Sequence, residues 1–176
     1  MLGFLLYLAF ALPKENIPQP QESPNAIIEF CVTRDPYGFL KESLLRRLEE
    51  AFQIDTFVET GTYLGDTTFV AASIFKEIHT IELSRDLYQK ALIRFKPQSH
   101  VKVHQGDSGD VLPNLLETIS GKILFYLDGH YTPGTAKGIE NTPLLRELEA
   151  IRNSNKSDSL ILVDDIRFFQ PSLYPH

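Results

Sequence analysis

The residues in this chain whose types and spacing could do chemistry are carboxylates and glycines set at intervals. Glu59-Thr60-Gly61-Thr62-Tyr63-Leu64-Gly65-Asp66-Thr67 places two acids, two glycines and three threonines within nine residues. Glu82 follows Gly61 by twenty-one residues, and Gly106-Asp107-Ser108, Asp128-Gly129-His130 and Asp164-Asp165 come further on. A glycine lets the backbone turn tightly and lets a ligand come close to it. A helix that starts beyond such a turn presents free amides to an anion or a polar ligand. An acid about twenty residues later is at the distance where a ribose is held by its hydroxyls. The pattern is ExGxxxG rather than GxGxxG, so the glycines alone are weak evidence. Together with Glu82 and Asp107-Ser108 they point to a nucleotide-like ligand.

These residues need elements to hold them. Residues 38–52 place Leu40, Leu44, Leu45, Leu48 and Phe52 at helical spacing between charges, which predicts an amphipathic helix. Beyond it, short β-rich runs alternate with helical stretches. Strands are predicted at 56–59, 78–83, 101–104, 123–127 and 160–163, with helices at 66–75, 85–95, 111–119 and 143–151. Strands that are apolar on both faces and separated by helices form a parallel sheet covered on both sides. In such a sheet ligands bind beyond the carboxyl ends of the strands. Every predicted strand here delivers a carboxylate or a glycine turn to that rim.

The composition fits one soluble domain. The chain has 176 residues, 43 % of them hydrophobic and 23 % charged, which excludes general disorder and a multi-span membrane protein. Seventeen basic and twenty-three acidic residues give −6, a balance that does not attract phosphate backbones, so no nucleic-acid partner is expected. The single cysteine, Cys31, excludes an internal disulfide and a cysteine-based zinc site, and reads as a small buried residue.

Residues 2–12 form an apolar run too short to span a bilayer. Without a basic segment before it, the run reads as a docked or frayed N-terminal helix or as a remnant of a mis-set start. A secretion leader or membrane association through these residues is the alternative to a cytoplasmic location. Residues 13–25 hold four prolines and read as a linker. Residues 1–25 are therefore set apart from a domain over 26–176.

The stretch Glu59–Thr67, with Glu82 and Asp107-Ser108, resembles class I S-adenosylmethionine-dependent methyltransferases over residues 38–169. That resemblance implies an α/β fold, a Rossmann-like parallel sheet with helices on both faces. It also implies that Glu59, Thr60, Gly61, Thr62, Gly65 and Thr67 line the methionine and ribose end of the cofactor, that Glu82 takes both ribose hydroxyls, and that Asp107 and Ser108 lie near the adenine. Asp128 with Asp164 and Asp165 is similar to the three-aspartate set of small metal-dependent O-methyltransferases, including those that act on macrolide and aminocoumarin sugars. In that family the carboxylates hold Mg2+, and the residue two positions after the first aspartate serves as base. His130 stands there, where many relatives have aspartate.

Methyl transfer to a hydroxyl is consistent with such a set. The displacement is in line, so positioning dominates. A divalent ion lowers the hydroxyl's pKa and a general base removes the proton. Oxygen ligands suit magnesium or manganese. The acceptor expected is a small molecule bearing a sugar, polyol or phenolic hydroxyl. Tyr131, Lys137 and Glu140 fall in the polar loop after the fourth strand and are candidates to touch it. His79, His100 and His104 read as structural or surface residues.

Two other readings remain open on the residues. One is a NAD(P)-dependent oxidoreductase or epimerase, which the glycine spacing opposes. The other is a truncated or degenerate nucleoside-binding domain without catalysis. The family sheet has seven strands, and five are predicted here, so the last two are expected to be lacking. The exposed edge of the fifth strand then predicts pairing with a second copy or with a completing partner chain.

Overall fold

The computed structural model describes residues 5–8, 40–129, 142–156 and 158–164. Cys31, the proline-rich stretch, His130, the loop with Tyr131, Lys137 and Glu140, and Asp165 lie outside the described residues. The elements run β1 (Leu5–Leu8), α1 (Glu42–Phe52), β2 (Thr56–Thr60), α2 (Asp66–Ala71), β3 (Glu77–Glu82), α3 (Arg85–Phe95), β4 (Val101–Gln105), α4 (Ser108–Thr118), β5 (Ile123–Leu127), α5 (Leu144–Asn153) and β6 (Leu160–Val163). The strands form one sheet in the order β1-β6-β5-β2-β3-β4, and every pairing is parallel. This is the parallel sheet the strand–helix rhythm predicts, in the Rossmann-like form the resemblance implies.

Strand alternation sorts the core into two layers. Phe57, Ile78, Leu124, Leu160 and Leu162 face one way and pack with Leu45 and Leu48 of α1 and Ala91 and Phe95 of α3. Val58, Ile81, Phe125, Ile161 and Val163 face the other way, toward Leu112, Leu115 and Leu116 of α4 and Ile151 of α5. Phe57 and Phe125 are fully buried, one on each side. Burying such a side chain contributes about 2–3 kcal/mol. Helices on both faces leave the carboxyl ends of the strands as the open rim.

Several boundaries differ from the sequence expectations, and helix α1 begins at Glu42 rather than at residue 38. The N-terminal apolar run supplies a strand rather than a helix: Leu5–Leu8 pairs in parallel with Leu160–Val163. That pairing also corrects the expected open edge, because β6 has neighbours on both sides. The run satisfies its backbone groups on the edge of β6 that faces away from β5. Helix α4 begins at Ser108 rather than at residue 111, because the Asp107 side chain caps it by accepting from the Gly109 N–H at 3.0 Å. Helix α2 ends at Ala71 and unwinds through tighter turns in which Ser73 and Ile74 bond to Val70 and Ala71.

The strand order reverses at β2. Two successive crossovers lead from it to β3 and β4, while β5 and β6 lie on its other side. The crevice of a parallel sheet opens at this switch, where adjacent chain exits diverge to opposite faces.

Candidate functional site: the rim at the β2–β5 switch point

The turn after β2 is built on two glycines. Gly61 has φ +83° and Gly65 has φ +82°, backbone angles that glycine adopts without strain. A Cβ at Gly61 would stand 2.5 Å from the Asp128 carbonyl oxygen, and one at Gly65 would stand 2.9 Å from the Phe95 ring. The turn is therefore pressed against the end of β5 on one side and against α3 on the other. Gly65 N–H bonds to the Thr62 carbonyl at 2.8 Å and closes the turn. Thr67 follows in the first turn of α2 and is buried.

Beneath the turn lies a buried polar network. The Thr68 hydroxyl and the Thr80 hydroxyl (2.8 Å) both donate to Glu59 Oε2. Thr62 Oγ1 lies 2.6 Å from Thr80 Oγ1. Because the Thr80 proton is committed to Glu59, Thr62 is the donor of that pair. Burial pushes the Glu59 carboxyl up to about 8, against the pull of the two hydroxyls, and the charges of Asp128 and Glu82 add to the rise. The sequence singles out Glu59 and Thr62 here. It misses Thr68 and Thr80, which complete the network.

Glu82 ends β3 at the lip of the same turn. Its Oε2 accepts from the Tyr63 N–H and its Oε1 from the Ser84 N–H, both at 2.8 Å. Burial raises this carboxyl above the usual range, and the Ser84, Tyr63 and Leu83 amides pull it back. Its orientation is thus fixed by backbone groups on both sides.

At the end of β4, Asp107 accepts from Arg146 Nη2 at 2.7 Å as well as from Gly109. Arg146 also reaches Asp110 at 2.9 Å. Ser108 donates to Glu147 Oε1. Glu147 is 1 % exposed, and burial pushes it up to about 7 against hydrogen bonds from Ser108 and Thr60. Thr60 Oγ1 in turn accepts the Asp128 N–H at 3.2 Å. The Thr60 hydroxyl is therefore turned into the protein, toward Glu147 and β5. Glu147 is a residue the sequence reading missed. Its signal was its place three after Leu144 and four before Ile151, on the apolar face of α5.

Asp128 follows β5 and Asp164 follows β6. The Tyr126 hydroxyl lies 2.9 Å from Asp164 Oδ2 and 3.2 Å from Asp128 Oδ2, so one phenol joins the two carboxylates. Two hard-oxygen donors held this close fit a small divalent cation. Among the described residues no group of three or more potential metal ligands comes together; Asp165 and His130, the remaining members of the expected set, lie outside them.

His79 and His104 are structural, as expected, and they are paired. His79 Nδ1 lies 2.9 Å from His104 Nε2, the rings stack, and Glu77 Oε1 is 3.2 Å from His79 Nε2. Among the described residues no helix is long and apolar enough to cross a membrane.

The chain is similar to known proteins in the same region. Residues 58–166 match the family described as "Methyltransferase domain". The ribosomal RNA small subunit methyltransferase A of Synechococcus sp. (strain CC9605) is 40 % identical over 92 residues, which is 49 % of this chain and 32 % of that protein. A Klebsiella pneumoniae protein provisionally named an O-methyltransferase superposes with a TM-score of 0.54 at 21 % identity, over 77 % of this chain and 59 % of that one. A Podospora anserina methyltransferase, solved with S-adenosylhomocysteine bound, gives 0.52 at 18 % identity, over 75 % and 54 %. At such identities the superpositions show the shared fold. The chain spans about a third of the length of the curated relative and under two thirds of these solved structures. The family match covers more than half of the chain, from the middle of β2 to just past β6, and on that ground the chain belongs to the methyltransferase-domain family.

Proposed function

We propose that this chain binds S-adenosylmethionine at the β2–β5 switch point and transfers its methyl group to a hydroxyl of a small molecule, with a divalent metal ion. The observation that carries the reading is the fixed carboxylate of Glu82, clamped by the Tyr63 and Ser84 amides at the lip of the turn that Gly61 and Gly65 make with left-handed backbone angles. The lone pairs these amides leave open suit two ribose hydroxyls. Gly61, Thr62, Gly65 and Thr67 line the turn under the methionine end, with Glu59 and Thr60 buried behind it, and Asp107 and Ser108 border the adenine.

S-adenosylmethionine supplies an electrophilic methyl group when bound. The chain's part is to hold that donor and the acceptor in line and to exclude competing geometries. Asp128 and Asp164, with Asp165, would hold Mg2+ or Mn2+, which polarises an acceptor hydroxyl. His130 stands two residues beyond Asp128 and would take the hydroxyl proton. The RNA substrate in the Synechococcus relative's name is not carried over, because a net charge of −6 opposes a polyanionic partner. A sugar, polyol or phenol is the acceptor class proposed, and the cytoplasm the location.

The test is calorimetric titration of the purified chain with S-adenosylhomocysteine, repeated on Glu82→Ala. Micromolar binding that weakens at least about tenfold in the variant supports the reading. A folded wild-type chain that does not bind overturns it. Methylation of a hydroxyl acceptor that needs added Mg2+ supports the metal.

A further inference from the structure

The group the proposed chemistry leaves unused is Glu147. It is buried beneath the rim and draws together three strand ends. Ser108, at the start of the helix that follows β4, donates to it. Thr60, the last residue of β2, is hydrogen-bonded to it and accepts the Asp128 N–H. Gly129, after β5, lies so close that a Cβ there would stand 3.1 Å from Glu147 Oε1 and 3.3 Å from Ser108 Oγ. A buried carboxylate is costly, and packing alone does not call for one at this place.

A serine hydroxyl has one proton. While Glu147 is ionised, Ser108 spends that proton on it, and the Ser108 oxygen can only accept from anything else. We infer that Glu147, acting through Ser108, makes this end of the crevice select a purine that presents an amino group over one that presents a carbonyl. Glu147 is thus a positioning residue for nucleobase specificity, an inference that rests on the proposed placement of the nucleobase beside Ser108.

The inference also carries a pH signature. Glu147 is held up to about 7 by burial. Asp107 opposes its ionisation and Arg146 favours it; from β2 and β5 it meets Thr60 and Gly129, which carry no charge. Once protonated, the carboxyl no longer needs the Ser108 proton, and the serine is free to donate outward.

The experiment is calorimetric titration with S-adenosylhomocysteine and with S-inosylhomocysteine, in which a carbonyl replaces the amino group. At pH 8 the adenosyl ligand is expected to bind at least about tenfold tighter, since a mismatched pair leaves a polar group unsatisfied. In Glu147→Leu, which fills the space without an acceptor, the ratio collapses toward one, and it shrinks likewise for the wild type at pH 6. A purely structural Glu147 would weaken both ligands together and leave the ratio alone. An unchanged ratio in Glu147→Leu overturns the inference, as does a wild-type ratio near one at pH 8. Should Glu147→Leu fail to fold, Ser108→Ala and the wild-type pH series read the same ratio. A folded wild type that binds neither ligand refutes the cofactor reading itself, which is a separate result.

Discussion

Gly61 and Asp128 meet backbone to backbone: a Cβ on the glycine would stand 2.5 Å from the aspartate's carbonyl oxygen. The turn that leaves β2 and the acid that leaves β5 are thereby set against each other. Gly61→Ala would strain a left-handed backbone and push the two strand ends apart, at a cost of about 2 kcal/mol or more. Binding of S-adenosylhomocysteine is expected to fall by more than about tenfold, a loss of at least 1.4 kcal/mol. Calorimetry together with urea denaturation checks both effects.

Tyr126 serves two carboxylates with one proton. Tyr126→Phe leaves Asp128 and Asp164 to repel each other, and a destabilisation of about 1–2 kcal/mol is expected. A divalent cation relieves that repulsion and binds the folded state alone, so it stabilises by mass action. Added Mn2+ should therefore raise the melting temperature of Tyr126→Phe more than that of the wild type. Equal shifts, or none, would count against a metal between these acids.

Glu59 gives the fold a pH dependence of definite sign. Its folded value is raised to about 8 from 4.5, so between those values the folded chain keeps a proton that the unfolded chain gives up. Stability contributed by that proton is present at low pH and is lost as pH rises toward 8. Glu147, raised to about 7, acts in the same direction. Glu59→Gln keeps an acceptor for Thr68 and Thr80 without the titration. Its unfolding free energy should decline less between pH 5 and pH 8 than that of the wild type, as read from urea midpoints across the range.

His79 works the other way. Burial, aided by neighbouring His104, lowers it to about 4 from 6.5, so the unfolded chain binds more protons in that interval. Its stability contribution is complete above pH 6.5 and disappears as pH falls toward 4. His79→Phe should remove that acid-side loss, leaving a flatter curve below pH 6.5. The same loss in both proteins would show that other groups set the acid limb.

Most of the sheet was legible because parallel strands buried on both faces leave a dense signal, as in Ile123–Leu127. The residues at the strand ends were legible because glycines and acids stand out against such runs. Tyr126 was not, since an aromatic within an apolar strand looks like packing, and only the fold brings its hydroxyl to Asp164, thirty-eight residues on. Glu147 was hidden for a related reason: an acid on an amphipathic helix usually faces water, and the pattern does not reveal that α5 lies over Ser108 and Thr60. The N-terminal strand was illegible because a short apolar run fits helix or strand equally well. Its partner, β6, lies more than 150 residues further on.

That last pairing has a consequence for how the chain folds. Leu5 pairs with Leu160, so the two partners stand more than 150 residues apart along the chain. Contacts this distant in sequence carry a large loop-closure cost and slow folding. The interior strands can zip together while an apolar N-terminal segment waits unpaired. Its docking onto β6 therefore comes late in folding, after the local pairings of the interior strands.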